Sequence, residues 1–272
     1  MRLAITLLLA LLSFGCEKPH EPATEKTPQT PCLVFAVPPY EMPSNIEQRF
    51  NPLLAFLTQQ LGQPVRLHIS ASYEDQVKRL AEGDVDLAYM GPSSYIKSRD
   101  NFNQGKPILI AAEAPYRAVL IVHKNSDIQS VSQLKNHSLA FGSYHSYSGH
   151  YVVRQRLRLQ NVFLRDLQFY SFLGRHERAI MSVVHRDFDA AATTEGLAHR
   201  FIELGYPIRI IERSELLAPT VIVAKPGTDA ALVNKIREAL LFSKQENLGF
   251  ALFEVDDNQF KEVERIVFAI EY

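Results

Sequence analysis

Residues 86–95 read Asp86-Leu87-Ala88-Tyr89-Met90-Gly91-Pro92-Ser93-Ser94-Tyr95. An apolar run of strand length, Asp86–Met90, stops at Gly91, and a helix pattern starts at Pro92 and runs to Asp100. Proline suits the first helical turn, where its missing N–H leaves no bond unmade. A strand that passes directly into a helix is the unit of an α/β sheet, and ligands of open α/β sheets sit beyond the carboxyl ends of the strands. Gly91, Ser93 and Ser94 stand at that point. Two readings fit these residues alone: plain N-capping by serine, or an anion site built from free N–H groups and hydroxyls.

Working outward, the same alternation continues in both directions. Upstream come a strand at Leu33–Val37, an amphipathic helix at Asn45–Leu61, a strand at Val65–Ile69 and a short helix at Tyr73–Ala81. A strand at Ile108–Ala112 completes a β-α-β-α-β rhythm, which predicts a mainly parallel sheet covered on both faces. A second unit follows, with strands at Ala118–His123, Leu139–Phe141, Gln168–Phe172, Ala190–Thr193 and Ile208–Ile211. Its helices are expected at Gly149–Leu159, Glu177–His185 and Gly196–Leu204, with a short one at Val131–Leu134. One more strand, Val221–Ala224, and helices at Ala230–Phe242 and Gln259–Ala269 have no unit of their own, so they are expected to return to the first. The predicted organisation is a first lobe of residues 32–114 plus 218–272 and a second lobe of residues 115–217. Two crossings, containing Pro115 and Pro219, would form a hinge between lobes that enclose a cleft.

Two further loops resemble the first in placing polar groups where a strand gives way to a helix. One is Phe141-Gly142-Ser143-Tyr144-His145-Ser146-Tyr147-Ser148-Gly149-His150, and the other is Gly174-Arg175-His176-Glu177. The first alone is equally well read as helix capping, and the lone His176 of the second reads more often as a cap or a surface group. Together they would aim helix N-termini at one point from both lobes, an arrangement suited to a tetrahedral oxyanion. Charge agrees with local capture: 29 Lys and Arg against 30 Asp and Glu give a formal net charge of −1. No general attraction to nucleic acid or an anionic surface is expected from that balance.

The N-terminus is expected to be a targeting segment. Met1-Arg2 precedes an apolar stretch, Leu3–Leu12, too short to span a bilayer and of signal-peptide length. It runs into Ser13-Phe14-Gly15-Cys16, which resembles a bacterial lipobox with Ser13 where Leu is usual. Residues 1–16 are thus expected to be a signal whose Cys16 is lipidated; the other reading is a secretory signal with an incidental cysteine. Residues 17–31, Pro-rich and without large aliphatic side chains, read as an extended tether. Cys32 then has no partner, and no metal-ligand spacing appears.

The ordered set of pieces resembles the phosphate, phosphite and phosphonate-binding proteins of ABC importers. It comprises Asn51-Pro52-Leu53-Leu54-Ala55-Phe56-Leu57, Ser72-Tyr73, the stretch 86–95, Ser146-Tyr147-Ser148-Gly149, Gly174-Arg175-His176-Glu177, Asp189-Ala190-Ala191 and Glu195. The resemblance implies a two-lobed type II periplasmic-binding fold. It implies that Tyr73, Tyr89, Ser146, Ser148 and His176 face the oxyanion, with Tyr147 in the place of a threonine; as the lobes close, the loop at Gly91, Ser93 and Ser94 is expected to complete the shell. Glu195 matches an acid that meets the amine of aminophosphonates, whereas a second such acid has no counterpart around Ala218-Pro219. An ABC permease partner, a periplasmic, membrane-anchored lipoprotein and a monomer are expected; no cofactor, metal, nucleic-acid partner or enzymatic activity is. Two rival functions remain at this level: a ligand-sensing lipoprotein partnering a membrane signalling protein, and an enzyme using His145, His150, His176, Glu177 or Glu195, none of which fall in a recognisable triad spacing.

Overall fold

The computed structural model describes residues 32–100, 105–242 and 248–271. The signal, Cys16 and the tether lie outside the described residues.

Two five-stranded sheets carry the fold. In the first, β1 (Leu33–Val37) pairs in parallel with β2 (Val65–Ile69) and β3 (Leu87–Met90). The connection α1 (Pro43–Leu61) buries Ile46, Phe50, Leu53, Leu54, Leu57 and Leu61, the 3.6-residue stripe of its sequence. It starts two residues before the expected Asn45 because Pro43, with φ already helical, takes the first turn. It ends at Gly62, whose φ of 69° is the left-handed conformation that suits glycine. Helices α2 (Tyr73–Glu82) and α3 (Pro92–Asp100) follow β2 and β3, and β4 (Ile108–Ala112) forms an edge.

The second sheet has the order β7-β6-β8-β5-β9. Its strands are β5 (Ala118–His123), β6 (Ser138–Phe141), β7 (Phe169–Phe172), β8 (Ala190–Thr194) and β9 (Ile208–Arg213). Helices α4 (Val152–Leu159), α5 (His176–Val184) and α6 (Glu195–Glu203) follow β6, β7 and β8. The last strand, β10 (Val221–Ala224), lies in the first sheet between β3 and β4.

Both sheets are mixed rather than mainly parallel, and the crossings explain why. β10 is antiparallel to β3 and β4, and β5 is antiparallel to β8 and β9. Each is the first strand after a crossing, so it starts at the inter-lobe end and must run away from it. Every other strand ends there, which brings the carboxyl ends of β1–β4 and β6–β9 to one cleft. The crossings hold each other: Glu113 N–H donates to Thr220 O at 2.9 Å and Leu217 N–H to Tyr116 O at 2.8 Å. Helix α7 (Ala230–Phe242) packs on α1 and β4 of the first lobe. The last helix, α8 (Lys261–Glu271), packs on both lobes, against α3 and against α4 with the turn before it. Its buried face of Val263, Ile266, Val267 and Ile270 joins a core shared with Tyr95, Ile96, Tyr147 and Tyr151.

Candidate ligand-binding site

The turn after β6 is the best-formed polar feature of the cleft. Ser146 opens a wide turn over Tyr147–Tyr151 that runs into α4, and its Oγ accepts the Gly149 N–H at 3.1 Å. The same Oγ lies 3.0 Å from Nε2 of His176. Backbone bonds lock the surrounding loops, since Gly142 N–H donates to Gly149 O and Gly174 N–H to Gly142 O. The two loops of the second lobe, after β6 and after β7, are therefore bonded to each other. His176 is buried, and desolvation pushes its pKa down to about 4, so the imidazole is neutral at physiological pH. Its Nδ1 has no protein partner.

That pair resembles a serine nucleophile and base in distance alone. A working base is oriented by a third group and has a pKa near the operating pH. Here no carboxylate holds Nδ1, and a pKa near 4 makes a poor proton acceptor. His150 is likewise buried and lowered to about 4, with Nδ1 on Tyr144 O at 2.7 Å. Glu177 accepts the Met42 N–H at 2.9 Å, and His145 lies beside Lys97. Among the described residues no group of His, Cys, Asp and Glu could hold a metal.

The cleft encloses about 330 Å³ between the lobes. From the first lobe Tyr40, Glu41, Arg49, Tyr73, Tyr89 and Gly91 line it; from the second, Ser146, Tyr147, Ser148, His176, Thr194 and Arg200 do. Glu113, Tyr116 and Thr220 of the crossings line it as well. Burial holds the Tyr73, Tyr89, Tyr116 and Tyr147 phenols well above the usual range, so all stay protonated donors. Tyr73 interacts with Ser146 and Tyr116 with Ser148. Both cations of the cleft are spoken for: Arg49 bonds Glu113 and the Tyr40 hydroxyl, and Arg200 bonds Glu41. Neutral hydroxyls and N–H groups are left to meet an anion, in keeping with the chain's balanced charge.

Of the residues singled out in the sequence, Tyr73, Tyr89, Gly91, Ser146, Tyr147, Ser148 and His176 meet in this cleft. The others sit elsewhere. Ser93 Oγ donates to His145 O at 2.6 Å, tying the lobes, and Ser94 is fully buried outside the lining. Glu195 is outside the lining too, because Arg213 at 2.7 Å, with Arg117 and His199 beyond, draws its carboxylate off the cleft. The acids that line the cleft are Glu41 and Glu113, neither evident in the sequence. In the sequence, Arg49 is one polar position among several on an amphipathic helix, and Glu113 stands in a crossing with no helix start to mark it.

The match to a family model settles the lineage: residues 35–265 fit the phosphonate ABC transporter periplasmic substrate-binding proteins. The chain belongs to that family. It is the substrate-binding component of an importer, and the family is one of solute binders rather than enzymes. A curated relative, the phosphate-import protein PhnD of Mycolicibacterium smegmatis, is 23% identical over 263 residues, 90% of this chain and 81% of that protein. A probable ABC transporter phosphite-binding protein of Prochlorococcus marinus is 28% identical over 158 residues, 54% of this chain and 52% of that one. The solved structure of a Prochlorococcus marinus PhnD protein in complex with methylphosphonate superposes with a TM-score of 0.81 at 19% identity, covering 88% of this chain and 98% of that one. The importer component therefore has the expected two-lobed type II periplasmic-binding fold, with mixed sheets.

Proposed function

We propose that this importer component captures a phosphorus oxyanion, a phosphonate, phosphite or phosphate, at the Ser146–Gly149 turn, and that the closed form passes it to a membrane permease. The observation that carries the proposal is the rigid turn itself: hydroxyls of Ser146 and Ser148 beside buried, protonated tyrosines and a neutral histidine, at the cleft end of the strands. Tyr73, Tyr116 and Ser148 supply donors around a tetrahedral group, and each charge-assisted bond to an oxyanion contributes on the order of 1.5–3 kcal/mol. A volume of about 330 Å³ also admits a small organic substituent on phosphorus. Cys16 serves in this reading as a lipid anchor, with residues 17–31 as a tether that presents the body to the permease.

Calorimetric titration of the purified protein with phosphate, phosphite, methylphosphonate and 2-aminoethylphosphonate tests the proposal. Saturable one-to-one binding of at least one of them is expected, and heat from none of them, with folded protein, sinks it. Labelling with a radioactive fatty acid, lost in Cys16→Ala, tests the anchor.

A further inference from the structure

A carboxylate in a cleft built for an anion calls for a reason. Glu113 stands in the first crossing, three residues before Tyr116, whose phenol interacts with Ser148 of the oxyanion turn. Three residues span at most about 10 Å, and Glu113 and Tyr116 line the same cavity. The carboxylate is held in place: Oε1 accepts from Arg49 and Oε2 from the Tyr89 hydroxyl. Its backbone N–H is fixed on Thr220 of the other crossing, beside Ala218 and Pro219, where the family resemblance finds no acid. A carboxylate offers about four acceptor sites; two are used here, and the rest can only accept. An oxygen of the ligand that carries no hydrogen is repelled there, while one that does is bonded.

We infer that Glu113 makes the cleft demand a hydrogen-bond donor from its oxyanion, so that it takes a ligand bearing P–O–H or an ammonium group and refuses sulfate and sulfonates. The inference rests on the proposed phosphorus-oxyanion function. Sulfonates match phosphonates in shape but hold no proton near neutral pH, so shape alone does not separate them.

The surroundings leave the ligand's own proton as the titrating group. Arg49 from α1, Tyr40 before it, Tyr89 from β3 and Tyr116 in the crossing face Glu113, and Glu41, Arg200, Tyr73, Tyr147 and His176 complete the charged and titratable lining. Tyr40 is raised to about 12 and the other tyrosines are held well above their usual range, Arg49 stays charged beside Glu113, and His176 is already neutral above about 4.

The experiment is calorimetric titration of the full protein and of Glu113→Gln with methylphosphonate, 2-aminoethylphosphonate and methanesulfonate between pH 6 and 9. The native protein is expected to bind methylphosphonate about a hundredfold more tightly than methanesulfonate, the worth of one charge-assisted bond. Its affinity for methylphosphonate should fall about tenfold per pH unit above that ligand's second ionisation. With 2-aminoethylphosphonate that fall persists if P–O–H meets Glu113, and flattens if the ammonium does; either pattern agrees with a demanded donor. In Glu113→Gln the amide can donate to a bare oxygen, so the sulfonate preference should shrink to within about tenfold and the pH slope should flatten. Methylphosphonate binding that is level with pH, or methanesulfonate bound within tenfold by the native protein, overturns the role of Glu113 while leaving the proposed function standing. Both of these measurements are made on the native protein, so the test holds even where the variant does not fold. Binding of no phosphorus oxyanion at all overturns both.

Discussion

A Cβ placed on Gly149 would stand 2.7 Å from Cε1 of His176 and 3.0 Å from Oγ of Ser146. Neither neighbour can yield easily: His176 is buried and Ser146 is pinned by the Gly149 N–H itself. Gly149→Ala should therefore part the Ser146–His176 pair, destabilise the fold by about 1–3 kcal/mol through overpacking, and weaken oxyanion binding at least tenfold. Calorimetry on the folded variant checks the binding, and urea unfolding checks the stability. The same residues set the response to acid. His176 and His150 have folded pKa values near 4, against about 6.5 in an unfolded chain. Between those values the unfolded chain takes up protons that the folded one refuses, so stability falls as pH drops from about 6.5 to about 4 and the loss levels off below that. At pH 5 it amounts to on the order of 1–2 kcal/mol per histidine relative to pH 7. Urea midpoints at the two pH values measure it, and His176→Gln should remove its share. Serines and a histidine at helix starts were legible in the sequence because their chemistry and their position coincide. Glu41, Arg49, Glu113 and Arg200 were not, since each joins the cleft through a partner distant in the chain: Arg200 lies 159 residues from Glu41.

Strands and helices emerge from the sequence with little displacement, because each apolar run or stripe ends at Gly, Pro or a capping residue. Helix α2 shows how such an end also places a cleft residue. Ser72 Oγ accepts the Asp75 N–H at 3.0 Å and fixes the first turn, which begins with Tyr73. Loss of a serine cap costs about 1 kcal/mol. Ser72→Ala should lower the unfolding free energy by about that much and, by loosening the start of the helix under Tyr73, reduce ligand affinity a few-fold; chemical denaturation and calorimetry read the two effects separately. Strand direction is the part that local pattern does not carry. A fully buried strand such as β10 reads as the same apolar run whether it lies parallel or antiparallel to its neighbours. Only the crossings, counted along the whole chain, determine that β5 and β10 run against their sheets.

Across the molecule, the lobes meet through bonds that no single element reveals. Ser93 reaches His145 O, the His176 N–H donates to Tyr40 O, Met42 N–H reaches Glu177, and Arg200 pairs with Glu41. Glu271 of α8 adds a bridge, holding Lys97 of one lobe and Tyr151 of the other. Bonds that cross the cleft must break for the lobes to part, so they bias any equilibrium between open and closed forms and, through it, apparent affinity. The Glu41–Arg200 pair is the most telling to remove. The Glu41 side chain is only 8% exposed while that of Arg200 is 45% exposed, so solvent screens the pair in part but less than a fully exposed one. Arg200→Ala leaves that carboxylate without its cation as the lobes close, which disfavours closure by about 1 kcal/mol or more. Ligand affinity should fall roughly fivefold or further for this reason. Because Arg200 also lines the cleft, a loss of affinity alone would not separate a lost ligand contact from a shifted equilibrium. Small-angle scattering separates them: a shifted equilibrium enlarges the ligand-free radius of gyration and restores the compact value at saturating ligand, whereas a lost contact leaves the ligand-free radius unchanged.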